Sequence, residues 1–485
     1  MNISRTKVLK TDVIIIGAGG AGLAAAVAAA EMGAKVILLE KLKRPGGNII
    51  FIGGIFAAES HIQERKRIDA RRDELFKIAM DYAHWRINPR IVRAFIDKSG
   101  DTIQWLEQMG LIFDDVHAVY PNQVPMVCHF PKGDGAAIVK VLTRRCEELG
   151  VQIQCQTTVK ALLMSKSGKL SGVIAEKGGQ ELVITAESVI IATGGYLGNK
   201  ELLKKYCPSY DENMRRNGLL HMGEGLMMAM EIGAATEGLG LLLAEGPRFD
   251  GPRLPRYMSS IADDPRTIWV NRTGERFIDE ASSSSHGFES VNALVRQPGK
   301  VCYSIFDDEL RQDIMTKGPL FASRDTFFTE MEKEPLDLSE KLRREVKRGG
   351  IKISDSWDDI ANWIGADQRV LHDTIDEYNL FCEHGYDKIF AKERRYLLPL
   401  HTPPYYAVKC VAGLLTTIGG IKVNHRMEVL DFQDNPIRGL YAAGTDTGGW
   451  VSDTYCVRLT ASASSFAINS GRIASENAVH YIARK

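Results

Sequence analysis

Val13-Ile-Ile-Ile16 is apolar at every position, which fits a strand covered on both faces rather than one with a wet side. It runs into Gly17-Ala-Gly19-Gly20-Ala21-Gly22 and an alanine-rich helix that reaches Gly33. Ala34-Lys-Val-Ile-Leu-Leu-Glu40 then reads as a second buried strand ending on an acid. Pro45-Gly46-Gly47-Asn48 and Gly53-Gly54 bracket a short apolar stretch, and two glycine pairs so close suggest backbone lying against something flat. Residues 62–111 read as charged helix, with a glycine cap at Gly110, and 136–150 as an amphipathic helix. Positions 151–159 alternate with the period of a strand, and 161–164, 170–175 and 181–185 follow as a small meander. Val189-Ile-Ile-Ala192-Thr193-Gly194-Gly195 returns to a buried strand that enters a Gly-Gly turn.

Between about Leu241 and Trp363 the texture changes. Pro247, Pro252, Pro255 and Pro265 concentrate there, followed by a serine run at 282–285 and helices rich in charge. Gly439-Leu-Tyr-Ala-Ala-Gly444 restores the strand-into-glycine pattern, and 459–483 is a long Ala/Ser helix. The expected fold class is α/β: a Rossmann-like dinucleotide domain built from 1–240 and 364–485, interrupted by an inserted α+β domain at 241–363. Three independent domains are the alternative, but glycine-turn strands at both ends favour one domain interrupted by another.

Length and charge narrow the class. The 485 residues suffice for two or more domains, and 61 basic against 61 acidic residues give no bulk field for nucleic acid or an anionic membrane. No apolar stretch approaches the roughly 18 residues of a membrane span, and no signal-like core precedes the first strand, so a cytoplasmic protein is expected. The eight cysteines are scattered without CxxC, CxxCH or Cys/His metal spacing, so neither metal, haem nor iron–sulfur cluster is expected.

The glycine turn carries the first chemical signal. Gly17 permits the tight turn, Gly19 lets backbone approach a pyrophosphate, and Gly22 lets helix pack on strand. The phosphates would rest on the helix N-terminus, where free N–H groups and the macrodipole attract anions. Glu40, 18 residues beyond Gly22, is placed to accept from a ribose diol and disfavours a 2′-phosphate, pointing to FAD or NAD rather than NADP.

Taken together, the motifs resemble the fumarate reductase and succinate dehydrogenase flavoproteins, a family that also holds 3-ketosteroid dehydrogenases and related ene-reductases. The likeness rests on 17–22 with Glu40-Lys41, Gly46-Gly47-Asn48 with Gly53-Gly54, and Ala192-Thr193-Gly194-Gly195. It continues through Gly223-Glu-Gly225, 270–277 with Glu280, Pro404-Tyr-Tyr406, Gly419-Gly420, and Ala442-Ala-Gly444 with Gly448-Gly449. The resemblance implies a two-part FAD domain with a capping domain, and substrate held against the flavin between them. FAD would lie along Gly17, Gly19, Gly20, Ala21 and Gly22, with Val159 reading adenine through its backbone. Ala463 and Ser464 would aim N–H groups at the flavin O2 region. The family's acid after Ala-Ala-Gly is Thr445 here, with Asp446 one position later as the substitute for holding the ribityl chain. Residues 48–54 lack the histidine to which respiratory members attach flavin, so dissociable FAD is expected.

The family's dicarboxylate clamps are mostly absent. Ser284 stands 13 residues beyond Asn271 where an arginine is expected, Asp263 where another is, Thr416 in place of a histidine, and Glu245 in place of the histidine at the start of the insertion. Fumarate is therefore not the expected substrate. Arg458 aligns with the family arginine at the start of the last helix, its alternative being an ion pair with Asp453. Thr454-Tyr455 resembles the ketosteroid dehydrogenase pair that polarises a ketone, and Tyr120 and Tyr257 lie where that subgroup draws further tyrosines, with a packed or surface aromatic as the alternative for each. His129 is a further acid/base candidate or an ordinary loop histidine. The expectation is an FAD-dependent ene-reductase, or its reverse, acting on a C=C bond conjugated to a carbonyl or carboxyl group, with an external electron donor or acceptor. A flavin oxidase acting on C–N or C–O bonds and an electron-transfer subunit are the competing classes.

Overall fold

The apolar run at 13–16 lies at the centre of a six-stranded sheet. Val13–Ile16 pairs in parallel with Val36–Leu39 on one side and Ser188–Ile191 on the other. Gln152–Gln154 and Pro436–Ala442 extend the parallel ladder outward, and Glu428–Leu430 closes one edge antiparallel. The computed structural model describes residues 7–118, 125–166, 168–250, 256–282, 288–320 and 338–484. Every residue of the three central strands is buried, as all-apolar runs require.

Two helices pack face to face on this sheet. Gly20–Glu31 is apolar all round and sinks between the sheet and Ser462–Ala483, because both helices present small residues. Gly471 abuts the Ala21 carbonyl, where an added Cβ would stand 2.2 Å away, and Ser475 donates to the Ala25 carbonyl at 2.6 Å.

Two sequence readings change in detail. Residues 151–159 form two strands, since Gln152–Gln154 ends the parallel sheet while Thr157–Met164 opens the antiparallel meander with Leu170–Lys177 and Gln180–Thr185. The crossing occurs at Gln156, with φ 53°, whose amide bonds to the Leu42 carbonyl. Residues 62–111 are three helices, His61–Arg65, Arg72–Tyr82 and Pro89–Gln108. The second and third are separated by left-handed His84 and Trp85, and the third restarts on an Asn88 cap with proline in its first turn.

The second large sheet is built on one long strand, Tyr405–Ile421. It pairs antiparallel with Thr236–Phe249, Val301–Phe306 and Ile351–Ser354, and in parallel with Arg215–Arg216. Ile268–Val270 extends the sheet beyond Val301–Phe306. Helices cover both faces: Leu338–Lys347 belongs to one apolar cluster, Trp357–Ile364 and Gln368–His384 to the other. This mixed sheet continues past residue 363 in sequence. A buried charge cluster ties the 270–280 motif to it: Glu280 receives Arg276 at 2.9 and 3.0 Å and Lys392 at 3.1 Å, while Arg276 also reaches Asp387 at 3.0 Å. Burial opposes the Glu280 charge, but Arg276 and Lys392 hold its carboxyl down to about 2.

Candidate active site

The glycine turn folds because backbone occupies the space that side chains would need. Gly17 has φ 101°, and a Cβ there would stand 2.3 Å from the Ala192 carbonyl; one on Gly22 would stand 1.8 Å from the Gly17 carbonyl. The turn therefore presses strand, helix and the 192–195 loop together and leaves Gly17, Gly19, Gly20 and Ala21 on the wall of a long cleft. The cleft holds about 1440 Å³ of empty space, including its open mouth. Gly22 is not on that wall; it makes the helix-to-strand contact.

Two helix N-termini open onto this cleft. Gly20–Glu31 starts at Gly19 with no side-chain cap and no acid in its first turn, so its N–H groups face the cavity without an internal anion. Ser462–Ala483 has no cap from the Ala461 that precedes it, although the Tyr455 hydroxyl takes the Ala463 amide, and Ala463, Ser464 and Ala467 line the cleft. Glu40 lies between, its carboxylate accepting from the Ala18 and Leu42 amides at 2.8 Å each. Lys41 meets Glu224 at 2.7 Å across the opening. Burial opposes the Glu224 charge, yet the Lys41 contact holds its carboxyl below the ordinary value. Val159, Ala192, Thr193, Gly194, Gly47, Asn48, Gly444 and Thr445 complete the part of the wall foreseen from sequence. Asn48 also fixes the far side, accepting from the Leu219 amide at 2.7 Å and donating to the Leu415 carbonyl at 3.3 Å.

Several expected residues lie elsewhere. Asp446 is buried and turned away from the cleft. It accepts from the Thr193, Gly194 and Gly195 amides and the Thr193 hydroxyl, so it holds the Gly-Gly turn rather than a ribityl chain. Burial pushes its carboxyl up while those donors pull it back. Gly46, Gly53 and Gly54 are not on the cavity wall: Gly54 packs on Cys128 and His129, and its carbonyl accepts from the Ser464 hydroxyl at 2.8 Å.

Among the proposed catalytic groups, Arg458 is exposed and off the wall. It is the middle residue of a short turn, Val457–Leu459, whose outer two side chains are buried and which thereby turns the third outward. Asp453 lies 3.7 Å from Arg86 rather than bonding Arg458. Tyr257 is buried in the core of the second sheet with Lys341 over its ring. Tyr455 is buried one layer behind the wall, its hydroxyl accepting from the Ala463 amide at 3.0 Å and its ring edge-on to Phe288. Burial pushes that phenol up to about 12, against the pull of Ser462 and the Ala463 amide. His129 is fully buried between Ser60 and the Val127 carbonyl, and burial drops it to about 4. Tyr120 and Ser284 lie outside the described residues.

Sequence reading missed His221, Asn217, Leu243, Leu415 and the acid Glu224 as cavity-wall residues. The His221 ring lies against Gly194, about 3.0 Å from where a Cβ would be, and its buried Nδ1 has no hydrogen-bond partner. Burial, aided by Lys41, lowers it to about 4. Its position just before the Gly223-Glu-Gly225 motif is the one signal that could have found it.

An acid at the end of the second strand, a glycine turn closed by backbone to a Cβ at Gly17 and Gly22, an orphaned histidine nitrogen and an uncapped helix N-terminus around one cleft fit an extended dinucleotide with a negative pyrophosphate. They define a dinucleotide-binding protein. The chain belongs to the FAD binding domain family, which residues 12–456 match. It is 32% identical to a vinyl phenol reductase of Lactiplantibacillus plantarum over 97% of this chain and 96% of that protein. The open conformation of a flavocytochrome c3 fumarate reductase superposes with a TM-score of 0.77 at 28% identity, over 98% of this chain and 78% of that one. The fold is also that of 3-ketosteroid Δ1-dehydrogenase from Sterolibacterium denitrificans, with a TM-score of 0.82 at 20% identity over 98% and 100% of the two chains. This protein is an FAD-dependent oxidoreductase acting on C=C bonds. Among the described residues no helix is long and apolar enough to cross a membrane, and no cluster of three metal-ligating side chains occurs.

Proposed function

We propose that this enzyme reduces, or in reverse introduces, a C=C bond conjugated to a carbonyl or carboxyl group, with non-covalently held FAD and an external electron partner, in the cytoplasm. The observation that carries the reading is the uncapped N-terminus of Gly20–Glu31 on the cleft, suited to the pyrophosphate, with the start of Ser462–Ala483 on the same cleft suited to negative charge on the flavin ring. FAD, when bound, supplies two-electron hydride exchange at N5. The residues that would hold it are those of the glycine turn, Glu40, Lys41, Asn48, Val159, 192–194, Thr445, Ala463 and Ser464, with His221 added. Residues 241–363 would serve as the cap that closes over substrate.

Tyr455 is the proposed proton carrier. Its hydroxyl accepts from the amide of Ala463, a residue of the cleft wall, which leaves its own proton, held at neutral pH as in any phenol, to be passed toward the carbon opposite hydride delivery. The relative's printed name, vinyl phenol reductase, supports C=C chemistry, and the acid at Glu245 with threonine at Thr416 argues against a dicarboxylate. Purified protein reconstituted with FAD should oxidise a reduced dye anaerobically with enones or monocarboxylic enoates and not with fumarate. Tyr455→Phe should lower kcat by about 10²-fold or more with flavin content intact. Robust fumarate turnover, or a full rate in the phenylalanine variant, would remove the corresponding part of the reading.

A further inference from the structure

The strand Thr236–Phe249 has two unlike faces. Ala244 and Phe249 pack into the core of the second sheet, whereas Leu243 lines the cofactor cleft. Alternation along the strand puts Glu245 on the side of Leu243, and the bulge between Glu245 and Arg248 brings Arg248, which pairs with Val411, back to the side of Glu245, whose partner is Gly413. Glu245 pairs in register with Gly413, where an added Cβ would meet the Asn217 amide nitrogen at 2.6 Å and Arg248 Cγ at 3.0 Å. Asn217 is itself a wall residue of the cleft. The stem of Arg248 and a cavity-wall amide thus meet over a glycine that leaves them room. Arg248 donates to Glu245 at 2.6 Å, and their side chains are 27% and 22% exposed, so solutes can reach the pair.

We propose that the Glu245–Arg248 pair is a specificity determinant that holds the distal end of the substrate and selects a neutral hydroxyl, chemically a phenol, over a carboxylate. The proposal rests on the reading of the cleft as the place where an unsaturated substrate meets FAD. A bare guanidinium would favour a carboxylate; a guanidinium already joined to a carboxylate sums to zero charge. A hydroxyl can donate to Glu245 and accept from Arg248, satisfying both with one group. A carboxylate arriving there brings a second negative charge against Glu245 and has no proton to offer it. The arrangement therefore turns a position of the dicarboxylate clamp into one that excludes dicarboxylates.

The test uses holoenzyme and three enones that differ at one place: benzylideneacetone and its para-hydroxy and para-carboxy derivatives. Each is titrated into the oxidised enzyme by perturbation of flavin absorbance, and each is assayed anaerobically with a reduced dye. The hydroxy compound should bind and turn over best, by roughly 10-fold or more over the carboxy compound. Glu245→Gln should narrow that gap by raising affinity for the carboxy compound, Arg248→Met, which leaves the Glu245 charge unbalanced, should widen it by weakening the carboxy compound most, and Arg248→Lys should bring it back toward the wild-type value, all at unchanged flavin content. Preference of the wild type for the carboxy compound, or the same ratio of hydroxy to carboxy affinity in all variants, overturns the proposal. Variant-sensitive phenol binding without turnover of any enone would keep the role of the pair and sink the reading of the reaction. Turnover with an order indifferent to both residues would do the reverse.

Discussion

Gly22 touches backbone where other residues would carry a side chain. Its obstacle, the Gly17 carbonyl 1.8 Å from an added Cβ, cannot rotate away, so Gly22→Ala must separate helix from strand. The expected cost is about 1–3 kcal/mol or more with loss of bound flavin, read by denaturant titration and by flavin absorbance of the purified variant. His129 makes a different residue-scale prediction. Its folded pKa is about 4 against about 6.5 in the unfolded chain, so between those values the unfolded state binds more protons and stability falls as pH falls. Full expression of that shift is on the order of 3 kcal/mol. Unfolding midpoints measured at pH 7 and pH 4.5 (about the lower half of that window) should drop less in His129→Gln than in wild type; equal slopes would mean that His129 is protonated in the folded protein.

At the scale of elements, the 192–195 turn depends on one carboxylate. Asp446 receives three backbone N–H groups, so Asp446→Asn places an amide donor against donors and should loosen the wall formed by Thr193 and Gly194. We expect a loss of about 1–3 kcal/mol in stability and weaker FAD retention; a variant as stable as wild type would show that the turn holds itself. This residue also marks how far sequence carries. The strand, glycine turn, helix and acid at 13–40 were legible because each step is dictated locally, by apolar saturation, by φ and by strand end. Asp446 was visible as an acid in the right motif, but its direction is set by the Gly-Gly turn it meets 251 and 252 residues earlier. Arg458 fails for a similar reason, because burial of Val457 and Leu459 decides which way it points. His221 and Asn217 sit in a stretch without periodicity, and only the folding of that stretch against Gly194 and Gly413 brings them to the cleft.

At the scale of the whole molecule, Lys41 and Glu224 join the dinucleotide sheet to the helix Glu224–Glu231 across the opening of the cleft. Both side chains are about one-third exposed, so the bond is modest, and Glu224→Gln should speed FAD dissociation by roughly five-fold at most. Stopped-flow displacement of FAD reads this directly, and an unchanged off-rate would show that the cofactor leaves by another route. The strand Tyr405–Ile421 has a wider reach. Its Tyr406, Val408, Cys410, Ala412 and Leu414 belong to the core of the second sheet, while Leu415 and Thr416, on the same unbroken backbone, form part of the cofactor wall. A strand is stiff along its length, so it works as a lever with its load at one end and its fulcrum at the other. Seating a cofactor against Leu415 therefore restrains the hydrophobic interior of the neighbouring body, and the empty enzyme should breathe most in a region no ligand touches.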